Sequence, residues 1–409
     1  MTKTNAHCQN CGTKCEQILN LGEQIICNRF FKSKEQLGKE KKYPLVIVFC
    51  PKCSLVQQSI VIPTNKIFDI NFNYLSSASR DAVMHFTKLA KTLIKEYNLK
   101  KGDYVVAIGS NDGTELKPFK EKGIGVIGVE PAPKPAKMAN DMGIYTIVDQ
   151  FEKANKKIME ESKGKVRILS AFNVMAHTGS IHKFLENVKK ILVANPNAVF
   201  INQGQYLPDI IEKVSYDTLY HEHSRFYTVT SMQNLFEGHG LHIYDCERIS
   251  YYGGSIIVYA SSDLRQRTKR LEKLLETEKE YTKLKKYKQF SNKVVQRRDE
   301  LLKLLNKLKG KGKSIVGGGA PMKSSVLLNY CKIDSNTLDI LTESNSLKIG
   351  TYSPSGIKVA DEHTYFKNHN PDYVLILSWN MAENMMKDLR GCGFKGKFII
   401  PLPELRVVD

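Results

Sequence analysis

Residues 216–228, YDTLYHEHSRFYT, gather side chains suited to moving a proton. His221, Glu222 and His223 stand in a row, with Tyr220 before them and Phe226 and Tyr227 after. An imidazole titrates near neutral pH, a carboxylate beside it can fix its tautomer and raise its basicity, and aromatic walls keep water away. The same residues would also make a polar turn whose imidazoles satisfy backbone groups, so the rest of the chain has to decide between the two.

A second chemistry opens the sequence. Cys8-x-x-Cys11 and Cys50-x-x-Cys53 each place two thiolates on a tight turn, and Gly12 follows the first pair as such turns favour. Two such pairs predict one tetrahedral zinc ion, with the long intervening segment folded as a lobe of its own. Cys15 and Cys27 fall outside the paired spacing and are expected to be bystanders, although Cys15 could stand in for a ligand. Nothing beside the thiolates offers an open coordination position, so the metal is expected to be structural.

These groups need a scaffold, and the middle of the chain supplies a β-α-β pattern. Residues 104–108 read as a buried parallel strand, followed by the turn Gly109-Ser110-Asn111-Asp112-Gly113 and a helix from Thr114. A second strand over 126–129 ends in Glu130, placed to take two ribose hydroxyls while the glycine turn lets a ligand press on backbone. The two glycines do not complete a pyrophosphate fingerprint, which disfavours a nicotinamide cofactor and favours S-adenosylmethionine. A strand over 167–172 runs into Asn173-Val174-Met175-Ala176-His177, where Asn173 and Ala176 are cofactor candidates. His177 would contact substrate or merely cap the following helix. A strand over 198–201 leads to Tyr206, a substrate candidate, and strands are also expected over 240–243 and 253–259.

Upstream, NFNYLSSASR carries Tyr74, and Ser79 is placed to cap a helix whose apolar positions are Val83, Phe86, Leu89 and Leu93. Downstream, 264–313 is rich in Lys, Arg, Glu and Leu and reads as one or two amphipathic helices with a solvated basic face. A second αβ unit begins at Ser314. There the turn Gly317-Gly318-Gly319-Ala320, with Lys323, Ser324 and Ser325 at a helix start, would suit phosphate or serve only helix–sheet packing. The chain is expected to end in a strand over 396–401.

With 409 residues and 42% hydrophobic content, two or three domains are expected. No apolar run is long enough to span a bilayer, and the N-terminus lacks a signal core, so a cytoplasmic protein with no membrane partner is expected. Nine cysteines then argue for metal or free thiols over disulfides. The formal charge of +19 is spread over lysine-rich segments without a nucleic-acid-binding signature, and it also suits an anionic phosphate ligand.

Taken in order, CQNCG with CPKCSLVQ, NYLSSAS, IGSNDGTEL, FNVMAH, YDTLYHEHSRFYT, GGSIIVYA, GGGAPMKSSVLLNY, NSLKIGTYSP and PDYVLILSWN closely resemble the sugar C-methyltransferase family over nearly the whole chain. The resemblance implies an α/β protein: a zinc lobe over 1–70, a class I methyltransferase Rossmann-like domain over 71–262, a helical linker over 263–313 and a C-terminal Rossmann-like domain over 314–409. It implies S-adenosylmethionine as methyl donor, a structural zinc, and a nucleotide-linked 4-keto-6-deoxy sugar as substrate. His223 would be the base that gives an enolate, with Glu222 its orienter or a second acid–base group. Tyr74, His177 and Tyr220 would line the sugar pocket.

Departures from the family pattern leave the sugar and the acceptor atom open. Ala107 stands where many members carry Glu, Asn202-Gln203 and Tyr251-Tyr252 replace the usual residues near the sugar, and Phe226 replaces a tyrosine. Methylation of oxygen or nitrogen, and a zinc protein that binds nucleic acid, remain the alternatives. A monomer is expected.

Overall fold

The computed structural model describes residues 6–27, 29–67 and 75–409. Near the N-terminus three strands form a sheet: β1 (Glu16–Ile25), β2 (Lys42–Phe49) and β3 (Val56–Gln58). The central run of β2 is β-branched and aliphatic, and its last five residues are buried.

The middle of the chain adds β4 (Tyr104–Ile108), β5 (Gly125–Val129), β6 (Thr146–Ile147), β7 (Val166–Phe172), β8 (Val199–Gln205), β9 (Arg225–Phe226), β10 (His242–Ile249) and β11 (Ser255–Ser261). Seven of these make one sheet in the order β10-β11-β8-β7-β4-β5-β6, with β11 antiparallel to both its neighbours. This is the class I methyltransferase arrangement. The order turns around at β4, with β5 on one side and β7 on the other, and ligands bind at the carboxyl ends of strands at such a point. The helix Arg80–Glu96 covers one face, and Ser79 caps it by accepting the Ala82 amide at 3.3 Å. Tyr74 lies outside the described residues.

The C-terminal sheet comprises β12 (Ile315–Gly318), β13 (Leu341–Glu343), β14 (Val359–Asp361), β15 (Tyr373–Ile376), β16 (Lys397–Ile400) and β17 (Arg406–Val408), in the order β14-β13-β12-β15-β16-β17. The strand expected to close the chain is followed by a further one, β17, which runs antiparallel to it.

Two features tie the parts together in ways composition does not show. The first is β9, which leaves the methyltransferase segment and pairs with β3, Val56 opposite Phe226. The segment after His221-Glu222-His223 is thus an edge strand of the zinc lobe. The second is the expected linker, which forms helices Lys269–Thr277 and Leu284–Lys309. In the longer one Tyr287, Phe290, Val294, Leu301, Leu305 and Leu308 are buried in a core shared with β1, β2 and the C-terminal sheet. The rings of Phe49 and Tyr287 lie 4.8 Å apart. A boundary drawn where the composition changes therefore cuts through a packed interior.

Candidate active site

The four cysteine sulfurs converge. Cys8, Cys11, Cys50 and Cys53 Sγ atoms all lie within 4.8 Å of one another. Cys8–Cys53 and Cys11–Cys50 approach to 3.5 Å, near the ~3.8 Å edge of a tetrahedron with ~2.3 Å zinc–sulfur bonds. Each pair sits on a knuckle, with the Gly12 amide bonded to the Cys8 carbonyl and the Ser54 amide to that of Cys50. Cys15 and Cys27 are outside this group of four.

The knuckle is wired to the His-Glu-His loop. Gln57 accepts the Gln9 amide at 2.7 Å, and the next residue, Gln58, donates its side-chain amide to the Tyr220 and His223 carbonyls at 2.7 and 2.8 Å. His221, the first imidazole, turns away from the cavity toward β2, with Nε2 3.4 Å from the Pro44 carbonyl, and burial pushes it down to about 4. For this residue the polar-turn alternative describes the geometry.

The other members of the loop face a cavity of about 1270 Å³. His177, Tyr220, Glu222 and His223 all line it. The His177 and His223 ring centroids are 4.7 Å apart, and Tyr220 lies against His223 at 4.3 Å. The His223 Nε2 lies 3.2 Å from the Tyr220 hydroxyl, which can donate to it. Among the described residues no hydrogen bond joins the Glu222 carboxylate to either ring.

Burial splits the acid–base groups. His223 is held well below the usual imidazole range by enclosure and by His177, and His177 is pushed down to about 4 while its Nδ1 meets the Glu222 carbonyl at 2.9 Å. Glu222 is pushed up to about 7 by burial, with Arg29 pulling the other way. Opposed shifts within one cavity are what acid–base sites display.

At one end of the cavity lies the turn after β4. Gly109 adopts φ +65°, and a Cβ there would come within 2.7 Å of Val174 Cγ2, so only glycine fits. Glu130 accepts the Asn111 and Ala132 amides at 2.9 and 2.8 Å. Gly109, Ser110, Asn111, Glu130 and Asn173 line the cavity, and the Ser110 hydroxyl is buried with no hydrogen-bond partner among the described residues. Asp112 and Gly113 do not line it. Asp112 accepts the Ser77 amide at 3.0 Å and the Thr114 hydroxyl at 2.6 Å, bracing the turn from behind. Ala176 lies outside the main cavity and receives the Ser224 amide and hydroxyl, both at 2.9 Å. The cradle fits a nucleoside cofactor without phosphates: a backbone-close turn, an acidic residue at the second strand end, and an apolar wall that includes Pro131 and Phe151.

The opposite wall comes from the C-terminal domain, and here the expectations change. Lys323 lines the cavity, but its ammonium lies 3.4 Å from Asp217 Oδ2 and 4.0 Å over the Trp379 ring. Trp379 donates its indole N–H to the same carboxylate at 2.7 Å. Gly319, Ala320 and Ser324 do not reach the cavity and form no anion cradle. The Ala320 amide is taken by Glu343 at 3.1 Å, the Ser324 hydroxyl by the Pro321 carbonyl at 2.7 Å, and a Cβ on Gly319 would meet Ser378 Oγ at 2.9 Å. A carboxylate already sits where a phosphate was expected, so this turn serves packing. Tyr206 is buried elsewhere, its hydroxyl donating to Glu278 at 2.6 Å.

Some functional side chains were invisible to the sequence reading. Gln58 holds the loop, Asp217 and Trp379 enclose Lys323, and Arg225, 1% exposed, donates to the Thr178 carbonyl at 2.9 Å. Glu115, inside the quoted IGSNDGTEL stretch, lines the cavity as well.

Three family models match in succession: a zinc binding domain over residues 8–68, a methyltransferase domain over 83–245 and a C-methyltransferase C-terminal domain over 250–403. The C-methyltransferase NovU of Streptomyces niveus is 29% identical over 98% of this chain and 96% of its own length. The chain is an S-adenosylmethionine-dependent methyltransferase, similar over nearly its whole length to a C-methyltransferase. This methyltransferase also overlaps solved structures in part. An S-adenosylmethionine-dependent methyltransferase from Clostridium acetobutylicum aligns at 10% identity over 44% of this chain and 91% of its own, TM-score 0.35. Magnesium protoporphyrin IX methyltransferase from Synechocystis aligns at 13% over 46% and 79%, TM-score 0.33. Overlaps this loose carry no argument, and the strand order defines the fold. The four sulfurs form the structural zinc site of this methyltransferase, and S-adenosylmethionine is its cofactor. Among the described residues no helix is long and apolar enough to cross a membrane.

Proposed function

We propose that the enzyme methylates a carbon beside the ketone of a nucleotide-linked 4-keto-6-deoxy sugar. One observation carries this: the Gly109–Glu130 end, the His177, Tyr220, Glu222 and His223 cluster, and the Lys323 and Trp379 wall all border the same cavity of about 1270 Å³. Ligand pockets usually run to ~300–1,000 Å³, so there is room for a nucleoside cofactor and a nucleotide-sized substrate together.

Carbon is a poor nucleophile unless a proton beside a carbonyl is removed, and the resulting enolate needs a donor at its oxygen. His223 Nε2, set beside the Tyr220 hydroxyl and the His177 ring, takes that proton. Tyr220, whose hydroxyl burial keeps neutral, donates to the developing oxyanion. Glu222 is the second acid–base group. Glu130 takes the ribose hydroxyls of the cofactor, which when bound supplies the electrophilic methyl. Arg406 gives the far wall positive charge for a diphosphate, beside Lys213 and Lys323, whose ammoniums pair with Asp209 and Asp217.

The test is transfer of isotopically labelled methyl to a panel of nucleotide-linked keto sugars, with the product bond located by NMR. A new carbon–carbon bond next to the carbonyl is expected. Label on oxygen or nitrogen, or no product from any keto sugar, would overturn the proposal.

A further inference from the structure

Glu115 sits in surroundings that folding alone does not explain. It lies just beyond the glycine turn and is buried, and the Ser170 hydroxyl on β7 is its hydrogen-bond partner among the described residues. Burial pushes its carboxyl up to about 7, and among the described residues no Lys, Arg or His acts on it. Glu130, by contrast, is satisfied by two backbone amides. An enclosed carboxyl with one hydroxyl for company is costly where a leucine would pack, as Leu116 does next to it. Yet Glu115 borders the cofactor end of the cavity.

Position says what such a group is for. Ser170 lies opposite Ala107 in the β4–β7 register, so the carboxyl is on the β7 side of β4. Glu130, at the end of β5, is on the other side. A ligand whose ribose meets Glu130 and whose body crosses the glycine turn brings its far end to Glu115. S-adenosylmethionine has two cationic centres. Its sulfonium must face the acceptor near His223, which leaves the α-ammonium of the methionine end.

We propose that the Glu115 carboxylate is the counter-ion for the α-ammonium group of S-adenosylmethionine. Ala107 contributes only a methyl at this point of β4, so the charge comes from the helix side of the turn.

Calorimetric titration with three ligands tests the assignment. S-adenosylhomocysteine keeps the ammonium and lacks the sulfonium charge, and 5′-methylthioadenosine lacks the amino-acid end altogether. Glu115→Gln should bind S-adenosylmethionine and S-adenosylhomocysteine each ~10–100-fold more weakly, the scale of a hydrogen bond between charged groups, and 5′-methylthioadenosine as wild type does. Glu115→Leu should show the same ligand pattern and melt higher than wild type without ligand; should it fold poorly, the Gln titrations decide alone. Unchanged S-adenosylhomocysteine affinity in the Gln variant overturns the proposal, as does a loss confined to S-adenosylmethionine, which would make the sulfonium the partner. An equal loss for all three ligands would reduce Glu115 to a structural role.

Discussion

Replacing Glu130 by Ala removes a carboxylate with two separable duties. It accepts the Asn111 and Ala132 amides at 2.9 and 2.8 Å, which sets the glycine turn against the start of the next helix. Each partly buried amide left without an acceptor costs about 1–3 kcal/mol, and water entering the widened cavity recovers part of it. A net loss of about 2–4 kcal/mol in stability follows, seen as a lower melting temperature without ligand. The remaining lone pairs are those assigned to the ribose hydroxyls, worth about 1.5–3 kcal/mol, or ~10–150-fold in affinity. Glu130→Gln should recover little, because its NH2 would face an amide that also donates. Calorimetry with S-adenosylhomocysteine, run beside thermal melts, separates the duties. A variant that melts lower but binds as tightly as wild type would refute the ribose contact and leave Glu130 as a brace.

Other perturbations follow from the same geometry. Cys8→Ser with Cys11→Ser should abolish metal binding by elemental analysis, and because Gln58 hangs the Tyr220 and His223 carbonyls from the strand beyond the second knuckle, turnover should fall while S-adenosylhomocysteine still binds; stoichiometric zinc in the variant would refute the four-thiolate site. Lys323→Ala should raise KM for the nucleotide sugar without changing cofactor affinity. It should also destabilise the fold by stranding Asp217, and adding Asp217→Asn should restore stability but not KM; an unchanged KM would confine Lys323 to this pair. His177 and His221 at about 4, and His223 well below its usual range, bind fewer protons folded than unfolded, so each favours stability that rises with pH up to the unfolded histidine value of ~6.5. Glu115 and Glu222, at about 7, hold extra protons when folded and act in the opposite direction from ~4.5 to 7. Three imidazoles should outweigh two carboxyls below ~6.5, and Glu222→Gln should steepen the rise in urea melts; a flat or falling profile would contradict these environments.

What the sequence made legible was what local pattern controls. The cysteine knuckles are set by spacing, Ser79 by capping chemistry, and the Gly109 turn with Glu130 by the β-α-β rhythm. What escaped it depends on partners far along the chain. Nothing near Gln58 announces that it will hold two carbonyls more than 160 residues away, as its separations of 162 and 165 show. Lys323 followed a glycine turn as a phosphate ligand would, but Asp217 and Trp379 claim its charge, and Glu343 fills the turn. The mostly polar run after Ser261 looked like a linker because its buried face is narrow, yet Tyr287 and Leu305 close a core between lobes. The row His221-Glu222-His223 suggested a shared role, whereas the backbone sends His221 toward Pro44 and sets His223 against the Tyr220 hydroxyl.

Deprotonation of carbon by His223 is the central claim, and exchange with solvent tests it without methyl transfer. The enzyme is saturated with S-adenosylhomocysteine, given a nucleotide-linked keto sugar in deuterium oxide, and followed by NMR at the carbon beside the ketone. Wild type should wash deuterium into that position, and His223→Ala should lose the exchange along with ~10²–10⁴-fold in kcat, at nearly unchanged KM. Exchange that persists in His223→Ala and disappears in Glu222→Gln would move the base to the carboxylate, and its absence from wild type with every keto sugar would contradict carbon methylation of this substrate class.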